Sequence, residues 1–272
     1  MIKVIALDID GTLYNSQEEI TPLTRTMLMK AHKMGILLIL ASGRSIHGLE
    51  SLVARLDFPL ENTILIGYNG ASVVDASTHE IYFQSILKQE LALSIFQSTR
   101  NHPVTLMIPV KDELWVEDDQ HPLVQFEAKT ENLKLQLVDD LSQYSFNPIK
   151  VMITAEKEVL KAYFDQVPEQ LKHQAIFARS GDVYIDVTNL GCDKGSALQR
   201  YCELKGIQAQ EVVAFGDNYN DLSMIHYAGT GIAMGNAVED LKKVANEVTL
   251  SNNEDGIGVW LQAHLGKETG EE

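Results

Sequence analysis

Positive charge is scarce in this chain. Its 22 lysines and arginines stand against 38 aspartates and glutamates, a formal net charge of −16 over 272 residues. Such a chain repels phosphate backbones and anionic lipid, so neither nucleic acid nor a membrane surface is expected as a general partner. Cysteine is nearly missing: Cys192 and Cys202 are the only two, and no CxxC spacing suggests zinc. Two thiols do not make a disulfide framework, and a reducing compartment, the cytoplasm, is the expected setting. The eight histidines show no HxH or HExxH spacing. Long apolar runs are also lacking. The longest of note, residues 36–41, has six residues, where a bilayer-spanning helix needs roughly 20. The N-terminal stretch meets an acid at Asp8 and has no signal-peptide pattern. No internal repeat or low-complexity segment stands out.

What is present is an ordinary globular composition, 45% hydrophobic and 22% charged, long enough for one large domain or two modest ones. The first third alternates short apolar runs with amphipathic helices. Strands are predicted at 4–7, 36–41 and 63–66. Between them lie a helix opened by Thr21 and Pro22, with Leu23, Met27, Leu28, Ala31 and Met34 on its apolar face, and a second helix over 45–56. The last third repeats the style, with a helix over 194–205 stopped by Gly206 and strands at 212–215, 231–234 and 248–250. Strand alternating with helix is the signature of a doubly wound, parallel, Rossmann-like α/β sheet. The middle is different. Strands at 105–108, 113–116, 150–153 and 182–187 alternate more openly, and helices are predicted at 88–99 and 156–165. The expected organisation is therefore a core of 1–81 and 189–272, split by an inserted α+β domain over 82–188. Trp115, with its apolar neighbours, is the candidate for an exposed patch.

Four places carry chemistry. Asp8-Ile9-Asp10-Gly11-Thr12 sits where the first strand ends. In extended chain, residues i and i+2 point to one side, so Asp8 and Asp10 are expected to converge. Two carboxylates ~4 Å apart repel by about 4 kcal/mol at an effective dielectric near 20, which calls for a cation. The second acidic cluster, Gly216-Asp217-Asn218-Tyr219-Asn220-Asp221, follows the strand at 212–215 and opens on the same sheet edge. Its oxygens suit a hard ion such as Mg²⁺, although Asn220 or Asp221 could instead cap the next helix. Lys194 opens a helix, where the macrodipole disfavours a cation unless an anion lies beside it. Ser42-Gly43-Arg44 ends the second strand with a hydroxyl and free amides, an anion cradle.

Taken in order, DxDGT, strand-end Ser, Lys and GDxxxD, with Asn69-Gly70 and Ala233-Met234-Gly235-Asn236 between and after them, resemble the haloacid dehalogenase-like superfamily, most closely its Cof-type sugar-phosphatase branch. The resemblance implies a Rossmann-like core with an α/β cap and Mg²⁺-dependent hydrolysis of small phosphorylated metabolites. It makes Asp8 the nucleophile that becomes an aspartyl-phosphate, and Asp10 the group that protonates the leaving oxygen and then activates water. The metal would be held by Asp8, the Asp10 backbone carbonyl and Asp217, with Asn220 or Asp221 in contact or one shell out. Ser42 and Lys194 would hold the phosphoryl oxygens. Gly43, Arg44 and Asn69 are candidate substrate contacts. A phosphosugar mutase on the same scaffold and a non-catalytic phosphate-binding protein are the alternatives. The insertion carries 10 basic and 16 acidic residues, so neutral, hydroxyl-rich leaving groups fit it better than polyanions.

Overall fold

The computed structural model of the protein describes residues 1–56, 58–180 and 182–265. Residues 266–272, which the sequence reading assigns to the core, lie outside the described residues. Among the described residues the strands form two sheets. The first takes Val4–Asp8 (β1), Leu37–Ala41 (β2), Thr63–Gly67 (β3), Ser72–Asp75 (β4) and Ile81–Gln84 (β5) from the start of the chain. The second is built from Thr105–Val110 (β6), Glu113–Val116 (β7), Lys134–Leu137 (β8), Val151–Thr154 (β9), Ala175–Ser180 (β10) and Tyr184–Asn189 (β11). The chain then returns to the first sheet with Val212–Gly216 (β12), Thr230–Ala233 (β13) and Glu247–Val248 (β14).

The first sheet runs β14-β13-β12-β1-β2-β3-β4-β5 and is parallel from β14 to β3. Its central strands are apolar and buried along their length because helices cover both faces. These are α1 (Pro22–Lys33), α2 (Ile46–Arg55) and, from the end of the chain, the helices at Lys194–Lys205, Leu222–Tyr227, Glu239–Val244 and Gly256–Leu265. The register decides what meets at the carboxyl edge. Asp8 lies opposite Ala41, and Leu7 opposite Phe215. The residues just past β2 and β12, Ser42 and Asp217, therefore flank Asp8, at the edge where open α/β sheets take their ligands.

The sheet is not wholly parallel. After a turn in which Tyr68 and Asn69 adopt left-handed φ angles of 53° and 52°, β4 and β5 add as antiparallel strands. Residues 82–84, expected in the insertion, thus pair with the first sheet. They sit on its half-exposed edge, and although the run 81–83 is itself a strand signal, nothing local shows which sheet it joins.

The second sheet runs β10-β11-β9-β6-β7-β8, antiparallel except for β7 with β8. One face packs on α3 (Gln89–Thr99), α5 (Lys157–Gln166) and α6 (Glu169–Lys172). The other carries α4 (Pro122–Thr130), whose Val124 and Ala128 pack on Met107, Leu114, Val116 and Met152. The edge strands β8 and β10, and α4, are absent from the sequence reading. Strand β8 is largely exposed and polar at alternate positions, so it lacks the apolar run that marks a buried strand, whereas the apolar run 175–178 of β10 is a strand signal that the sequence reading passes over. Trp115 is not an exposed patch. Its Nε1 donates to Glu113 at 3.0 Å, and its ring packs against Tyr144 and Phe146.

Helix α7 (Lys194–Lys205) is capped by the Asp193 side chain, which accepts from the Ser196 amide at 2.8 Å, and ends at Gly206 in the left-handed conformation. It crosses α8 (Leu222–Tyr227) at Gly195, whose amide donates to the Ser223 hydroxyl at 3.1 Å. Shorter α9 (Glu239–Val244) and α10 (Gly256–Leu265) complete the cover. A Cβ on Gly195 would stand 2.3 Å from the Ser223 carbonyl carbon. This contact brings Lys194 against the loop after β12. Gly195→Ala should therefore destabilise the protein by about 2 kcal/mol, overpacking outweighing the roughly 1 kcal/mol gained in helix propensity, as read by urea denaturation.

Candidate active site

The site forms around the end of β1. Beyond Asp8 the chain turns back, with the Leu13 amide donating to the Asp8 carbonyl at 3.2 Å and the Tyr14 amide to the Ile9 carbonyl at 2.9 Å. Gly11 sits at φ +86° in this turn, directly under Asp217; a Cβ there would lie 2.4 Å from an Asp217 oxygen. The neighbouring Thr12 hydroxyl donates to Asp217 Oδ1 at 3.0 Å.

Lys194 is fully buried, and its ammonium donates to Asp8 Oδ1 at 2.5 Å and to Asp221 Oδ1 at 2.7 Å. Asp221 is equally buried, and its other oxygen accepts the amides of Asp217 and Asn218, each at 3.0 Å. It thus caps its own loop and anchors Lys194 at once, while Asn218 caps the short turn through the Tyr219 amide. Carboxylate oxygens of Asp8, Asp217 and Asp221 lie within 4.8 Å of one another.

One ammonium cannot balance three such carboxylates. Burial, then the charge of Asp221, push the Asp8 carboxyl well above its ordinary range against the pull of Lys194. The same two causes push Asp217 up to about 6. Burial by itself would lower the Lys194 ammonium, but Asp221 and Asp8 outweigh it and hold it above its usual value. A buried cluster of hard oxygen donors with surplus negative charge fits a divalent cation.

Asp10 does not join this cluster. β1 ends at Asp8, so the expected i, i+2 convergence is lost in the turn. The Asp10 side chain is 57% exposed and takes a two-pronged grip from Arg44, Nη2 to Oδ1 at 2.8 Å and Nε to Oδ2 at 3.1 Å. Burial opposes the Arg44 charge, but the hydrogen bonds to Asp10 more than offset it. Ser42 is buried, and its hydroxyl accepts from the Arg44 amide at 3.2 Å. Asn69 donates its amide to the Ser42 carbonyl at 3.0 Å, and its side-chain oxygen accepts from Asn220 at 3.1 Å. Asn220 is exposed, in the loop that also carries Asp217 and Asp221.

Asp8, Asp10, Ser42, Gly43 and Arg44 open onto a cavity of about 260 Å³, whose far wall comes from the second sheet and α4: Glu127, Glu131, Lys150, Tyr184 and Asp186. Sequence reasoning misses this wall entirely. A signal existed in Lys150 and Asp186, charged residues set within or beside apolar strands, which are buried and paired at 3.3 Å. Burial pushes the Glu127 carboxyl up to about 7 against the attraction of Lys150.

The raised carboxyls make a pH prediction. Unfolded, Asp217 ionises near pH 4; folded and metal-free, near 6. Its stabilising contribution is complete below pH 4 and is lost as pH rises through about 6. Asp217→Asn should therefore stabilise the chelator-treated protein at pH 7 by about 1–2 kcal/mol. A divalent cation should raise the wild-type Tm more at pH 7 than at pH 5, and that increment should shrink in the variant. Thermal denaturation with and without the salt checks both.

The haloacid dehalogenase-like hydrolase family model matches residues 5–261. The chain is 30% identical over 260 residues to YxeH of Bacillus subtilis (strain 168), spanning 94% of this chain and 96% of that one. It is likewise 30% identical over 283 residues to the pyridoxal phosphate phosphatase YbhA of Escherichia coli (strain K12), spanning 97% and 98%. The crystal structure of a haloacid dehalogenase-like hydrolase from Bacteroides thetaiotaomicron superposes with a TM-score of 0.90 at 31% identity, over 97% of this chain and 99% of that one. The carboxylate-lined edge of the parallel sheet, and the agreement along nearly the whole chain, make this protein a member of the haloacid dehalogenase-like hydrolase family.

Proposed function

We propose that the protein is a Mg²⁺-dependent phosphatase acting on small phosphorylated metabolites, sugar phosphates foremost, through an aspartyl-phosphate on Asp8, and that it works in the cytoplasm. The observation that carries this reading is the buried Lys194 fixed between Asp221 and Asp8, the last of which lines the cavity. That arrangement holds one carboxylate at the sheet edge with a cation at its back. The phosphatase activity of the Escherichia coli relative supports the reaction class.

Asp8, Asp217 and Asp221 would hold the metal or its immediate surroundings, together with the Asp10 carbonyl. When bound, the cation supplies charge compensation for carboxylates and phosphate crowded together. Lys194 keeps the Asp8 side chain in one rotamer, with one oxygen on the ammonium and the other free to attack phosphorus. Ser42 and the amides of Gly43 and Arg44 receive phosphoryl oxygens, a turn rich in donors being suited to charge that shifts during transfer. An incoming phosphate dianion competes with Asp10 for the Arg44 guanidinium; the released Asp10 carboxylate takes up a proton from solvent and gives it to the leaving oxygen. In the second half-reaction Asp10 takes a proton from water as that water attacks the aspartyl-phosphate, releasing phosphate and restoring Asp8. Residues 82–188, less the edge strand already placed in the first sheet, act as the substrate-selecting cap. Their wall of Glu127, Glu131 and Asp186 disfavours a second phosphate on the leaving group.

Activity on p-nitrophenyl phosphate should vanish in EDTA and return with MgCl₂; full turnover in chelator would reject the metal. Asp8→Asn should lower kcat by at least about 10⁴-fold, more than 5 kcal/mol of barrier, with no labelled phosphoenzyme. Asp10→Asn should cost about 10²–10³-fold on a sugar phosphate, whose alkoxide needs a proton, and about tenfold or less on p-nitrophenyl phosphate. Equal losses on both esters would remove Asp10 from the acid role.

A further inference from the structure

The loop that leads from β2 into α2 is held from the other domain. Ser45 is the N-cap of α2, its side chain accepting the Gly48 amide at 2.9 Å. Both Ser45 donors, however, are spent on Glu131 at the end of α4: the amide at 2.8 Å and the hydroxyl at 2.5 Å, on the same carboxylate oxygen. Glu131 is buried there. A buried carboxylate without a directly bonded cation is costly, and what offsets the cost is the unpaired N–H end of a ten-residue helix, the two hydrogen bonds and the nearby Arg44 charge. Gly48 completes the socket. A Cβ at that position would stand 2.1 Å from Glu131 Oε2. Two residues upstream of Ser45, the Gly43 carbonyl accepts from Lys150 at 3.1 Å, a second grip from the same domain. Just beyond Glu131, the Asn132 carbonyl meets the His47 ring at 3.0 Å. The segment from Ser42 to Ser45 is thus fastened at Gly43 and at Ser45 by the cap, with Arg44, the partner of Asp10, between the two fastenings.

We propose that Glu131 is a positioning residue for the reaction: seated in the Ser45–Gly48 socket, it sets the phosphate loop, so that docking of the cap and assembly of the phosphate site are one event. This deepens the phosphatase reading and rests on it. A cap that only selected leaving groups would leave small esters indifferent to Glu131. A cap that sets the phosphate loop makes every ester depend on it, because Ser42 and Arg44 face the phosphoryl group common to all. Lifting the cap releases the Ser45 donors and the Gly43 carbonyl to water together, and the loop loses the two contacts that fix it.

The test uses acetyl phosphate, too small to reach the far wall, beside a hexose 6-phosphate. Glu131→Ala should lower kcat on both by ten- to a hundredfold, with KM within about threefold. Glu131→Gln, which keeps an acceptor oxygen for both Ser45 donors, should recover activity to within about threefold of wild type. Gly48→Ala crowds the socket that Glu131 occupies, so it should match the Glu131→Ala loss, and the double variant should be no worse than either single one. Amide hydrogen exchange at Ser45 should quicken at least tenfold in both single variants. Acetyl phosphate turnover within twofold of wild type in Gly48→Ala, a loss confined to the hexose ester, or unchanged Ser45 exchange would each overturn the proposal. Should Asp8→Asn match wild type, the phosphatase reading falls, while the exchange rates still decide whether Glu131 sets the loop.

Discussion

An ammonium group with no solvent contact is costly to bury, by several kcal/mol after relaxation, and the architecture of this protein makes sense only with Lys194 supported on both sides. The two carboxylates that support it come from remote parts of the chain, Asp8 at the end of β1 and Asp221 in the loop after β12, while Lys194 itself opens α7. Three elements of the carboxyl edge are fixed by one cation. Removing any member would leave a buried charge uncompensated, which is why such groups are expensive to alter even where the assembled cluster adds little net stability. The glycine that follows Lys194 belongs to the same constraint, because α7 reaches Asp221 only where it crosses α8 without a side chain between them.

From this follows the electrostatic character of the site. The cluster is over-supplied with negative charge, and both Asp8 and Asp217 resist ionisation for that reason. A chain of net charge −16 can receive a phosphate dianion only where positive groups are concentrated locally. Lys194, Arg44, Lys150 and the amides at the start of α2 provide that concentration, and each is held by an acidic partner: Asp8 and Asp221, Asp10, Asp186, and Glu131 in turn. The positive groups are thereby kept rigid and desolvated before any ligand arrives, which is the condition under which fixed charges act most strongly on a reacting group.

The second domain takes part in this arrangement and does more than cover it. Its helix α4 lies on the face of its sheet that looks toward the core, and the end of that helix reaches the N-terminus of α2. Its strands contribute Lys150 and Asp186 to the same cavity as Asp8. Two sheets with separate hydrophobic interiors meet across a polar cavity and a small apolar cluster in which Ile149 packs with Tyr68 and Ala71, and the directional contacts act in the low-dielectric surroundings that strengthen them.

Local order was legible in the chain wherever a short-range pattern carried it. Buried parallel strands announce themselves as unbroken apolar runs, as in Val4–Asp8 and Val212–Gly216, and Pro22 and Gly206 mark helix ends through backbone restrictions that act over one or two residues. The motifs at Asp8, Ser42 and Asp217 were readable because a parallel sheet brings every strand's carboxyl end to one edge, whatever the sequence between. The edge strand β8 was not, since a half-exposed strand need not be apolar and is specified by its partner, and for β5 and β10, which carry short apolar runs, only pairing decided which sheet each joins. Nor could spacing reveal that Asp10 turns away from Asp8 to Arg44, that Asp221 stands beside Asp8 and Asp217, or that Glu131 seats on α2 86 positions from its Ser45 partner. Those pairings depend on angles between elements and on the docking of one domain against another. Tertiary structure decides them, because a hydrogen bond or ion pair between distant residues is set by where their backbones come to lie, and nothing in the local sequence fixes that.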